Sequence, residues 1–140
     1  MNARSARGLS ATGAVATLAA MAATTLAAAL ARAGGVDFEI SGETIPLSGF
    51  AVVTGAFSVV GVVIAAGLRR WSARPAERFV GTTVALTAVS LVPPLLSDAD
   101  TATIAALIGL HLVAAAVVIP TVARSLRAAT GAERLTEAVG

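Results

Sequence analysis

One histidine stands in an otherwise uncharged stretch, IAALIGLHLVAAAVVIP at residues 104–120, with His111 near its centre. An imidazole titrates near neutral pH, so this side chain could pass a proton or hold a ligand. It could also give one hydrogen bond to a hydroxyl on a neighbouring helix, a structural contact worth about 0.6 kcal/mol and at most about 2. Metal or haem ligation is a third chemistry, and it would need several chains to bring imidazoles together. The chain has no cysteine and no second histidine to complete a ligand set. The missing cysteines also exclude disulfides, thiolate zinc sites, Cys-ligated iron–sulfur clusters and thiol redox chemistry. The acidic residues that could do acid–base work, Asp37, Glu39, Asp98 and Asp100, fall in two connecting segments rather than beside His111.

The composition says what kind of element holds these groups. Hydrophobic residues make up 56% of the 140 and charged residues only 13%, against about 25% charged in a soluble domain. The polar coat needed to face water is missing, and the mean hydropathy is +0.86. An integral membrane protein of one domain is the expectation. Four uncharged runs, 9–31, 48–68, 79–97 and 101–123, are 19 to 23 residues long. About 20 apolar residues rising about 1.5 Å each cross a hydrocarbon core about 30 Å thick. In lipid every backbone N–H and C=O must be paired internally, so continuous runs of this length are helices. The predicted fold is an all-α integral membrane four-helix bundle. The basic residues are all arginine, which with the abundant alanine suggests a GC-rich bacterial genome. A formal charge of +2 is too small to point to nucleic acid.

Charge on the connections gives the direction of threading. Arg4 and Arg7 precede the first run. Arg69, Arg70, Arg74 and Arg78, against one Glu77, fill 69–78. Arg124, Arg127 and Arg134, with Glu133 and Glu137, follow the fourth run. These alternate with acidic connections: Asp37, Glu39 and Glu43 against Arg32 in 32–47, and Asp98 and Asp100 in 98–100. If all four runs span, every Arg-rich segment lies on one side. The prediction is a multi-pass protein of the cell inner (plasma) membrane with both termini cytoplasmic and Trp71 anchored at the inner surface. The expected organisation is a tail at 1–8, a membrane domain at 9–127 and a tail at 128–140. The first run, with its basic start and small-residue end, also has the features of a signal peptide. A signal core of about 7–15 residues is shorter than 9–31, so retention is the expectation and cleavage the alternative.

Small residues recur along each run: Gly13, Ala16, Ala20, Ala23 and Ala27 in the first, and Ala51, Gly55, Ser58, Gly61 and Ala65 in the second. Such stripes let helix backbones approach closely where lipid supplies little hydrophobic drive. They serve packing within the chain or association between copies. Pro93 and Pro94 cannot donate to the carbonyls of Val89 and Ser90, which predicts either a kinked third helix or an irregular end beneath loop 32–47. Pro120 frees the carbonyl of Ala116 in the same way. Within loop 32–47, Val36, Phe38 and Ile40 alternate with Asp37 and Glu39, and Ser41–Gly42 is a turn signal. Either a short hairpin rests its apolar face on the helices, or an irregular loop dips Val36 and Phe38 into the interface. Val36, Asp37, Phe38 and Glu39 are the candidate extracytoplasmic contact loop.

Counting about 1.5 Å per residue from the predicted outer boundary, His111, Thr87 and Ser58 all fall ten residues deep, about 15 Å. The three form a candidate polar mid-membrane layer on three helices. Ser and Thr in such helices also bond back to the i−4 carbonyl, so a purely structural role stands beside a functional one.

The segments AGGVDFEI after the first run, SLVPPL closing the third and GLHLV within the fourth resemble a family of small actinobacterial four-span membrane proteins. These are known only as a domain of unknown function. The resemblance covers about residues 13–127. It implies a four-helix membrane domain and no activity, and it carries over no catalytic residue.

Three functions compete. A non-catalytic packing or assembly subunit needs only the small-residue faces and the loop. A transporter or channel-like subunit would use the Ser58, Thr87 and His111 layer, though no run carries an acidic residue. A lipid-acting enzyme would need Asp37, Glu39, Asp98, Asp100 and His111 to converge across about 15 Å. The first is the expectation: no enzyme, no cofactor, no metal and no nucleic acid, with membrane lipids and a second copy or another membrane protein as partners.

Overall fold

A computed structural model describes the backbone of residues 3–139 and the side chains of 8–136 and 138. The side-chain charges of Arg4, Arg7 and Glu137 therefore lie outside the described residues. Helix α1 spans Ala3–Ala33, followed by strands β1 (Glu39–Ile40) and β2 (Glu43–Thr44). Helix α2 covers Leu47–Trp71, α3 Pro75–Ser90, the single turn α4 Val92–Leu95, and α5 Thr101–Val139. Helices α1, α2 and α5 outrun the uncharged runs, and α3 begins four residues before its own, because the Arg, Ala, Glu and Leu residues there are good helix formers. The expected tails are helical over 3–8 and 128–139.

The four long helices run alternately up and down. Helices α2 and α5 flank α1, the same two flank α3, and α1 and α3 stand at opposite corners. The buried line of α1 is Leu9, Gly13, Ala16, Ala20, Thr24 and Ala28. It leaves the predicted stripe after Ala20: Thr24 and Ala28 turn inward, while Ala23 and Ala27 are half-buried. A helix turns 100° per residue, so three successive four-residue steps drift round the axis and re-aim the contact face. Small residues set the α1–α2 distance. A side chain at Gly13 would meet both Val62 methyls at 2.8 Å, and one at Gly55 would meet the Met21 sulfur at 3.0 Å. Valine is stiff at χ1 whereas methionine bends away. Gly13→Leu is expected to lose about 1–3 kcal/mol by overpacking and Gly55→Ala to stay within about 1 kcal/mol, as read by unfolding in mild detergent.

Two buried clusters hold the bundle. At the arginine-rich end they are Leu9, Ala16, Ala65, Ala76, Phe79, Val122, Ala123 and Leu126. At the other end they are Ala28, Phe38, Leu107 and Leu110. The third helix is interrupted at Leu91, whose backbone stays right-handed at φ −79 and ψ −15. It stops at Ser90, and α4 follows after Leu91. Pro93 and Pro94 lack the N–H groups that would have continued the ladder. Pro120, by contrast, leaves α5 continuous.

The AGG segment ends α1. Val36 N–H bonds to the Ala31 carbonyl at 3.1 Å while Gly35 takes φ +96, the left-handed stop that glycine adopts at no steric cost. The hairpin is present, with Glu39 opposite Thr44 and Ile40 opposite Glu43. Ser41 (φ 53) and Gly42 (φ 83) are both left-handed, as a two-residue hairpin turn of matching twist requires.

Candidate functional site

The hairpin end is built around Phe38. Its backbone is left-handed at φ 53, so the strand starts only at Glu39, although the inward and outward alternation expected for Val36 to Ile40 holds. The ring is fully buried and meets Phe50 edge-on at 4.9 Å between centroids. Val36, Ile40, Ile45 and Leu47 pack around it half-buried. Arg32, the lone base among the acids of this end, is a strut. Its Nη2 donates to the Ile45 carbonyl at 2.6 Å, and its guanidinium lies 5.9 Å from the Phe38 centroid. Of the proposed contact loop, Asp37 and Glu39 are exposed, Val36 is half-buried and Phe38 is inside.

The acidic residues do come together. Asp37, Glu39, Asp98 and Asp100 line one open groove with Ser41, Gly42 and Ala99. Two of the four carboxylates are already engaged. Asp98 accepts the Ser41 N–H at 3.2 Å and its hydroxyl at 3.1 Å, tying the turn to the connection before α5. Asp100 caps α5: it accepts N–H bonds from Ala102 at 2.7 Å and Thr103 at 3.1 Å, and the Thr103 hydroxyl at 2.7 Å. The Thr103 side chain, then its backbone, hold the Asp100 carboxyl below the usual carboxylate range. The ionised form is the one bonded in the fold. Its contribution to stability is complete above the ordinary value of about 3.9 and is lost as pH falls through the lower folded value. Thermal unfolding from pH 7 to pH 2 is expected to fall less steeply for Asp100→Ala than for the parent chain. His111 is not among the groove-lining residues, and no group of three His, Cys, Asp or Glu among the described residues could hold a metal ion.

At mid-bundle, His111 is half-buried, with Nδ1 2.7 Å from the carbonyl of Leu107 on its own helix. A carbonyl only accepts, so Nδ1 carries the proton and Nε2 is the nitrogen left for other chemistry. Thr87 donates to the Thr83 carbonyl at 2.8 Å. Ser58 is buried on α2. No hydrogen bond joins any two of Ser58, Thr87 and His111. A hydroxyl contact that does cross between helices is Thr24 with Thr54, 3.1 Å apart. Thr25 keeps a buried hydroxyl oxygen with no hydrogen-bond partner.

At the arginine end, Arg69 turns inward, its side chain 4% exposed, and donates to Glu133 at 2.8 Å. The pairing was not foreseen, since 64 residues separate the two. Asp100 carried the clearer signal: an aspartate just before an apolar helix is a favoured cap.

The fold and its surface define a small helical bundle in which four helices are long and apolar enough to cross a membrane. The chain belongs to the family of unknown function DUF6069, whose pattern matches residues 4–128. No curated protein and no solved structure matches it.

Proposed function

We propose that this is a multi-pass protein of the cell inner (plasma) membrane, with both termini cytoplasmic, acting as a non-catalytic packing or assembly subunit. One observation carries the membrane reading: the bundle is apolar outside and small inside. Val15, Leu18, Leu26, Leu30, Val52, Phe57 and Val63 are all more than half exposed, Phe57 at 70%. The interior between them is largely alanine, glycine and hydroxyl. In water so much continuous apolar surface would drive aggregation, whereas lipid tails match it. Retention of the first span is supported by its buried line against α2 and α5. The lysine-free, Ala-rich composition supports the actinobacterial source that the resemblance implies. Membrane lipids and a second copy or another membrane protein are the proposed partners.

The natural chain has no cysteine, so single-cysteine variants are clean probes. Ile40→Cys and Arg74→Cys are expected to label from opposite faces of intact vesicles. Labelling from the same face overturns the threading. A second reading, a transporter or channel-like subunit using Ser58, Thr87 and His111, is favoured by the Nε2 of His111, which has no partner among the described residues. His111→Leu separates the two. A structural histidine, bonded among the described residues only to the Leu107 carbonyl of its own helix, predicts a stability change below the roughly 0.6 kcal/mol of a bond between helices, with unchanged oligomeric state and growth. A relay predicts normal stability with a lost growth phenotype.

A further inference from the structure

Seven described arginines, Arg69, Arg70, Arg74, Arg78, Arg124, Arg127 and Arg134, lie at one end of the bundle, where Glu77 and Glu133 are the described acids. The structure divides the described ones by use. Arg69 is buried against Glu133. Arg74 pairs with Glu77 at 3.5 Å. Arg124, Arg127 and Arg134 on α5 are exposed without an ion-pair partner among the described residues, as are Arg70 and Arg78. Between them in the chain stands Trp71, the single tryptophan, 79% exposed at the end of α2 with the Arg70 guanidinium 6.0 Å from its ring. Three residues join α2 to α3, so Arg78, in the first turn of α3, follows closely on Arg70 and Trp71 in the chain, while Arg69 and Glu133, already paired with each other, line the groove beside those two.

We propose that Arg70, Trp71 and Arg78 form a binding site for the headgroup of an anionic phospholipid. The inference rests on the membrane reading above. Guanidinium forks match phosphate oxygens bidentately, and arginine beside the cytoplasmic leaflet attracts its anionic lipids. A free phosphate would engage the two cations but leave the large indole face in water. A lipid serves both, because an indole sits at headgroup level with its apolar body toward the glycerol and upper acyl carbons.

Trp71 reports on its own site. The full chain is reconstituted in phosphatidylcholine nanodiscs containing a small fraction of lipid brominated in the upper acyl chain, either phosphatidylglycerol or phosphatidylcholine. At equal mole fraction, brominated phosphatidylglycerol is expected to associate with Trp71 about fivefold or more over brominated phosphatidylcholine. That preference should weaken in high salt. It should fall to near unity in the Arg70→Gln, Arg78→Gln double variant and survive excess inorganic phosphate. Equal quenching by the two lipids in the parent chain overturns the headgroup site while leaving the membrane reading intact. A preference retained in the double variant overturns the residue assignment. Displacement by inorganic phosphate shows a free-anion site instead. No quenching by either lipid overturns the membrane reading and this site with it. Circular dichroism of the double variant, expected to match the parent, separates loss of the site from loss of the fold.

Discussion

Phe38→Ala is expected to lose about 3–5 kcal/mol of stability, the usual cost of truncating a fully buried aromatic. Phe38 is the one large side chain that a loop, not a helix, delivers into the bundle. It fills the space among α1, α2 and α5 together with Ala28, Leu107 and Phe50. A two-stranded hairpin is marginal on its own, so this ring anchors the four strand residues, and Arg32 loses its aromatic partner with it. Alanine would also keep the left-handed backbone, which costs an L-residue about 1 kcal/mol or more. Phe38→Gly should therefore be no worse than Phe38→Ala despite its smaller side chain, within about 1 kcal/mol. Urea or thermal unfolding in detergent reads the loss. Proteolytic nicking within residues 34–46 should accelerate in parallel. A loss under about 1 kcal/mol would mean that the hairpin is held by its hydrogen bonds to Asp98 and Arg32 rather than by the ring.

Phe79→Ala should cost less, about 2–3 kcal/mol, although that ring is just as buried. Phe79 lies within α3 in the cluster with Val122, Ala123 and Leu126. With lipid around the helices, the transfer of the ring out of water has no part in assembling the bundle, because lipid is as apolar as the core. What remains is the lost packing. A void on the order of 100 Å³ at roughly 24 cal/mol per Å³ gives that range. The same substitution in a water-exposed bundle should cost about 3–5 kcal/mol. The ratio of the two losses, read in one detergent and under one protocol, thus bears on the medium as well as on the fold. Equal losses would argue against lipid as the solvent of α3.

Much of the architecture was legible in the chain. The four helices follow from apolar length, because only a helix satisfies its own backbone through so long an apolar stretch. The hairpin was legible as one of two options: alternation predicted strands and Ser41–Gly42 predicted their turn. The end of α3 was legible only as a choice, since a proline pair says where the ladder fails and not how the chain continues. The details of the candidate sites were hidden for a common reason. The pairs Arg69 with Glu133, Ser41 with Asp98 and Thr24 with Thr54 are separated by 64, 57 and 30 residues, and no local pattern links them. The hydroxyls were legible as a polar layer by depth, yet Thr87 and His111 each bond along their own helix. A helix carbonyl one turn away is always within reach, whereas a partner on another helix depends on rotation and distance.

The sequence by itself determined the elements: four helices, their alternating directions and an arginine-rich end, since each depends only on composition summed over a local run. Only the tertiary structure decided which face of each helix turns inward, that Phe38 plugs one end, and that Arg69 is buried while Arg70 and Arg78 remain exposed. Those outcomes depend on how close two backbones come, and that distance is fixed jointly by side chains such as Gly13 and Val62 on different helices.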